Sequence, residues 1–224
     1  MTLTAGTSGG TDAFVGGGGT DTLIVSGVNT GISAVGVERI IGSSSADGFG
    51  IQTLAGETTY VKGGGGSDTM MFHVPLGGAS NTGSIRVIFT DTSQLGVTID
   101  GFNLSTDKLF FVGDEGAFMG GGQGGVAVGA KVAATESQIS IGAAAANGTV
   151  RWVYNTANNT LSYDADGVGG NAAIQVAAFQ NVTGVGGGVT AATVASAIAY
   201  IDSSDAATYL NSATLAPTAP ANWS

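Results

Sequence analysis

The chain has 224 residues, among them 40 glycines, 3 prolines and no cysteine, and its 16 acidic against 6 basic residues leave a formal charge of -10. This excludes disulfides and thiolate chemistry, argues against nucleic acid as a partner, whose phosphates need lysine and arginine, and lacks the three-residue glycine period of collagen. With 43% hydrophobic and 10% charged residues the chain is not disordered by composition, its length fits one large domain or two small ones, and its charge suits a protein that binds cations.

The opening MTLTAGTSGG has neither a basic region nor an apolar core, so it is no signal peptide. Without a run of about 18 apolar residues, no membrane helix is expected. Residues 1–79 read as short apolar strands punctuated by glycine: AFV (13–15), TLIVSGV (22–28), VERIIGS (37–43), TYV (59–61) and TMMFHV (69–74). Residues 80–189 change character. SIRVIFT (84–90), GVTIDGF (96–102) and KLFFV (108–112) are rich in β-branched and aromatic residues and read as longer strands. FMGGGQGGVAVGAK (118–131) reads as a flexible connection and lacks the Lys-Ser/Thr of a P-loop. TVRWVYN and TLSYDAD around TANN form the best hairpin signal, with AAIQVAAFQNV (172–182) as a third strand. In residues 190–224, Val194, Ile198 and Ile201 are spaced for a short amphipathic helix, followed by an extended tail.

Two nonapeptides stand out, GGGGTDTLI (16–24) and GGGGSDTMM (63–71). TSGGTDAFV (7–15) and GSSSADGFG (42–50) are worn copies, with Asp12 and Asp47 in register. Nine-residue units of turn plus strand point to a parallel β-roll or β-helix. Their chemistry points to calcium, a hard ion that takes six to eight oxygens at about 2.3–2.6 Å. Glycine turns aim peptide carbonyls at one place and each aspartate adds charge.

Both complete nonapeptides match GGxGxDxUx and so resemble the RTX, or hemolysin-type, calcium-binding repeat. TIDGFNLSTDKLFF (98–111) is similar to the strand that follows the roll in serralysin-type relatives, and LSYDADGVGGNAAIQVAAF (161–179) to their C-terminal hairpin. The resemblance implies a β-roll, bound Ca2+ and type I export. Carried onto this chain, its ligands are Asp21 and Asp68 with the carbonyls of Gly16, Gly18, Gly63 and Gly65; Asp12 and Asp47 rank second. The alternative is a set of glycine turns with solvated aspartates. Asp164 and Asp166 read as a turn, with an ion site as the alternative, and Asp100 and Asp107 as strand-end or turn acids.

No catalytic constellation is legible. His73 is the only histidine, with no GxSxG elbow and no HExxH helix, and reads as a strand-end residue. Arg39, Arg86, Arg151 and the three lysines are too scattered for a lyase site. Trp152 and Trp223 offer rings to a surface glycan, with packing the stronger reading for Trp152. The expected fold is therefore all-β: a parallel roll of nonapeptide repeats, an antiparallel region and a short C-terminal helix. The expected function is a secreted, self-associating calcium-binding structural protein, not an enzyme, at the surface of a Gram-negative bacterium. The alternative is the folding and export module of a larger RTX adhesin or hydrolase.

Overall fold

The computed structural model describes residues 2–5, 12–27, 31–74, 83–113 and 131–210. The chain is mostly β. Its first strands are β1 (Thr2–Ala5), β2 (Asp12–Val15), β3 (Thr22–Val25), β4 (Ile32–Val35), β5 (Arg39–Ile41), β6 (Gly48–Gln52), β7 (Thr58–Lys62) and β8 (Thr69–Phe72). Then come β9 (Ser84–Phe89), β10 (Val97–Asp100), β11 (Lys108–Val112), β12 (Lys131–Ala133), β13 (Ile139–Ile141), β14 (Trp152–Asn155), β15 (Thr160–Tyr163) and β16 (Ile174–Gln180). Helix α1 (Ala191–Ala197), β17 (Ile198–Ile201) and helix α2 (Ser203–Leu210) follow.

These strands make two sheets. Sheet I has the order β1-β3-β5-β7-β9-β11-β17-β12, and sheet II the order β13-β14-β15-β16-β10-β8-β6-β4-β2. From β1 to β11 successive strands alternate between the sheets, and neighbours within each sheet are parallel. A short turn suffices at each crossing because it only changes sheet, whereas a parallel neighbour in the same sheet needs a full circuit.

The reason for this winding lies in the alternation of side chains along each strand. In sheet I, Leu23, Ile40, Val61, Val87, Leu109 and Ile198 stand in register from coil to coil, each at most 1% exposed. In sheet II, Ile32, Phe49, Met70, Ile99 and Phe179 also stand in register, each at most 4% exposed. The two ranks face one interior. A one-residue slip would turn a whole rank to the outside, so the register is strongly specified. The circuits are unequal in length: the in-register residues Ile32, Phe49 and Met70 are unevenly spaced along the chain.

Beyond Lys131 the two sheets become mixed. β14 and β15 form the expected antiparallel hairpin around residues 156–159, and β15 pairs antiparallel with β16. β16 then lies parallel to β10, so the antiparallel region extends sheet II directly. Trp152 is fully buried here and donates its indole N–H to Tyr200 Oη (2.9 Å), which makes it a core residue. Trp223 lies outside the described residues, as do most of 118–131 and the tail beyond Leu210.

One sequence expectation is corrected at the C-terminal end. The helix expected over residues 190–201 stops at Ala197, and Ile198 and Ile201 belong to β17. Thr190 caps the helix by accepting the Thr193 N–H (3.2 Å). The following residues pair with β11 and complete sheet I, a tertiary demand that overrides the local helical spacing. A second helix not read from the sequence, α2, then lies against the outer face of β5 and β7. Its Ala206 and Leu210 pack with Ile41, Ile88 and Phe110, Tyr209 stacks on Tyr60 at 4.6 Å, and Arg39 Nε donates to the Tyr209 carbonyl (2.9 Å).

Candidate functional site

The described turns that lead from sheet I to sheet II lie along one edge, and those in the other direction along the opposite edge. Residues 42–47 join β5 to β6, and residues 63–68 join β7 to β8, so these two turns are stacked neighbours on one edge. Residues 16–21 join β2 to β3 and lie on the other edge. The structure therefore brings Asp47 and Asp68 together and separates both from Asp21.

Asp47 and Asp68 each stand just before a strand of sheet II, where the pairing of Gly48 with Thr69 makes them neighbours in register. Both are buried, at 3% and 1% exposure. The Asp47 N–H donates to Asp68 Oδ1 (2.9 Å), and the Ser43 N–H donates to Asp47 Oδ2 (2.7 Å). The Gly65 N–H donates to the Ser43 carbonyl (3.0 Å). Asp68 Oδ2 is buried and receives no hydrogen bond. Burial pushes the Asp68 pKa up to about 6; the Asp47 N–H opposes this, and the Asp47 charge adds to it.

Glycine is required around these carboxylates by space. A Cβ on Gly63 would lie 2.2 Å from Asp68 Oδ2. A Cβ on Gly42 would lie 1.7 Å from the Gly63 carbonyl oxygen and 3.1 Å from Asp47 Oδ2. The serine-rich turn GSSSAD thus keeps its first glycine for the same reason as the complete motif. At Gly65 a Cβ would lie 2.9 Å from the Ser44 carbonyl, again a peptide oxygen of the stacked turn.

On the opposite edge, Asp21 is 2% exposed and its N–H donates to Glu38 Oε2 (2.7 Å). Gly16 sits under Gly36, whose carbonyl oxygen would be 1.9 Å from a Cβ there, while a Cβ on Gly18 would meet nothing within 4 Å. Asp12 is the first residue of β2, in register with Ile32 and through it with Phe49. It therefore stands two residues past the position of Asp47 and is not brought to the other carboxylates.

A common device links both edges. The acid that closes a turn reaches back to a main-chain N–H of the preceding coil: Asp68 to Asp47, Glu38 to Asp21, and Asp107 to Ile85 (2.9 Å). Asp107 is fully buried, and its Oδ2 also takes the Asn103 N–H (2.9 Å) and meets His73 Nε2 at 3.0 Å. His73 follows β8 in the left-handed region with φ 56, a strand-end position as its sequence context implies. Glu38 escaped the sequence reading, although an acid one residue removed from the apolar pair of VERII repeats the placing of Asp in DTLI and DTMM.

Among the described residues no three His, Asp or Glu side chains converge on one point. A cation between the 42–47 and 63–68 turns would be held by Asp47 and Asp68, with peptide oxygens of the two turns completing its shell. That donor set, all oxygen with two carboxylates, fits calcium. No family model matches the chain, and neither the curated proteins nor the solved structures include one that is significantly similar.

Proposed function

We propose that the chain is a calcium-binding structural protein of RTX type, whose paired parallel sheets are a β-roll. One observation carries the reading: a buried carboxylate oxygen, Asp68 Oδ2, lies without a donor beside a second buried carboxylate, where Gly42 and Gly63 let the stacked turns approach closely. Leaving such an oxygen unsatisfied costs about 1–3 kcal/mol. A divalent cation removes that cost and the repulsion between Asp47 and Asp68.

Binding then becomes folding, because the site exists only when two coils are stacked. At about ten times its dissociation constant, one ion contributes roughly 1.4 kcal/mol. A net charge of -10 opposes compaction where calcium is scarce. Calcium at the outer surface of a Gram-negative cell, after type I export, would fix the roll. Self-association into a layer, filament or matrix is supported by the edge of sheet II at β2, which pairs only with β4 among the described residues and where Val15 is 70% exposed. The same edge suits a preceding coil of a longer RTX adhesin or hydrolase, which is the second reading. No catalytic role is part of either.

The test is thermal unfolding followed by circular dichroism, in chelator and in millimolar calcium. A cooperative transition that rises with calcium supports the reading; superimposable curves reject it. Electron microscopy in calcium separates the two forms of the proposal, ordered sheets or fibres against lone particles.

A further inference from the structure

A second recess lies far along sheet II, on the outer face of β14, β15 and β16, between residues 143–145 and the loop 164–171. It encloses ≈ 690 Å³, within the range of small-molecule sites. In a chain of charge -10 its lining is nearly neutral. Its polar side chains are carboxamides and hydroxyls set among alanine, glycine and valine, no lysine or arginine takes part, and the one carboxylate is Asp164. Asp164 Oδ1 is turned into its own loop, where it accepts the Gly167 N–H (2.8 Å) and the Asp166 N–H (3.3 Å).

The polar groups are held ready. Asn155 Oδ1 accepts the Ala157 N–H (2.9 Å) and Asn158 Oδ1 accepts the Thr160 hydroxyl (2.8 Å). These bonds fix both carboxamides and leave their NH2 groups as donors, which lowers the entropy lost on binding. Ser162 and Gln175 face each other in register on adjacent strands and supply a donor and an acceptor each. Val168, 65% exposed, adds an apolar pad to the rim. β15 is paired on both sides, so an extended peptide finds no strand edge to join here. Recognition falls to neutral side chains that donate and accept at once, the chemistry that vicinal hydroxyls require.

We propose that this recess binds a short neutral oligosaccharide, attaching the protein to a surface glycan. The proposal goes beyond the calcium reading and does not depend on it. The test is saturation-transfer NMR and calorimetry on the whole chain with maltotriose, cellotriose, mannotriose and chitotriose, and with trigalacturonate as a charged control. Saturable binding of at least one neutral trisaccharide and none of trigalacturonate is expected. Ser162→Ala and Gln175→Ala should each weaken that binding about fivefold, the loss of one ordinary hydrogen bond, with unfolding temperatures unchanged. Absence of binding across the neutral panel, undiminished binding by both variants, or a preference for trigalacturonate overturns the proposal. Calcium-dependent folding without sugar binding removes this site alone; sugar binding unaffected by chelator leaves it standing if the calcium reading fails.

Discussion

Asp68 and Asp107 each stand just before a strand, on opposite edges of the molecule, and meet opposite fates. Each closes a turn, is buried, and binds a main-chain N–H of the preceding coil through Oδ1. Asp107 Oδ2 is then satisfied from within the chain, by Asn103 N–H and His73. Asp68 Oδ2 has no such donor, and its neighbour is another carboxylate. A turn whose acid is answered by the chain's own donors is complete as folded. A turn whose acid is not answered is where the proposed cation would sit. The difference lies in the turn sequence: NLSTD folds so that Asn103 donates, while GGGGSD places bare glycine next to the carboxylate.

The largest expected effect breaks the complete turn. Asp107→Ala strands the Ile85 and Asn103 N–H groups and should destabilise by about 3 kcal/mol, equally in calcium and in chelator, in denaturant melts. Next, Asp68→Asn removes the unanswered charge but keeps an acceptor for the Asp47 N–H. It should erase the calcium-dependent gain, about 1.4 kcal/mol at ten times the dissociation constant, while leaving the chelated protein no less stable at pH 7. A retained calcium response in this variant would refute the site.

A third expectation concerns pH. The Asp68 pKa, about 6 in the folded chain, lies above its unfolded value of about 4. The folded state then binds more protons between those values, so stability in chelator falls as pH rises from about 4 through 6 and stays low above. Calcium favours the ionised form and should flatten that decline, measurable as unfolding temperature against pH. The smallest effect, at Gly18, sharpens the comparison within one motif. Gly18→Ala, with nothing within 4 Å, should be neutral or stabilise by about 0.5 kcal/mol. Gly63→Ala, 2.2 Å from Asp68 Oδ2, should destabilise by about 1–3 kcal/mol.

Much of the strand content was legible because alternation and β-branched runs mark β3, β9, β11 and the β14–β15 hairpin. β6 was legible only as the strand half of the worn repeat GSSSADGFG, since Gly48 and Gly50 are poor strand formers and only its neighbours create the ladder. That gap matters for the site. Each strand crossed moves the next turn to the opposite edge, so the β6–β7 pair puts Asp47 and Asp68 on one edge, while the five strands β3 to β7 put Asp21 on the other. The motif identified the acids; the parity of intervening strands decided which of them meet. β17 was hidden for a different reason, because its isoleucines also satisfy a helical spacing and only β11 settles the choice.

The ladder of coil upon coil has a directional consequence. Large rings gather at the far end, where Phe89, Phe111, Trp152 and Tyr163 pack on one another, while the first coils offer Val25 and Ala34. In a stack where each layer contacts chiefly the next, the aromatic end is the natural seed, and growth would run backwards toward the amino terminus. Amide exchange should accordingly be slowest in β11 and β14 and quicken stepwise toward β2.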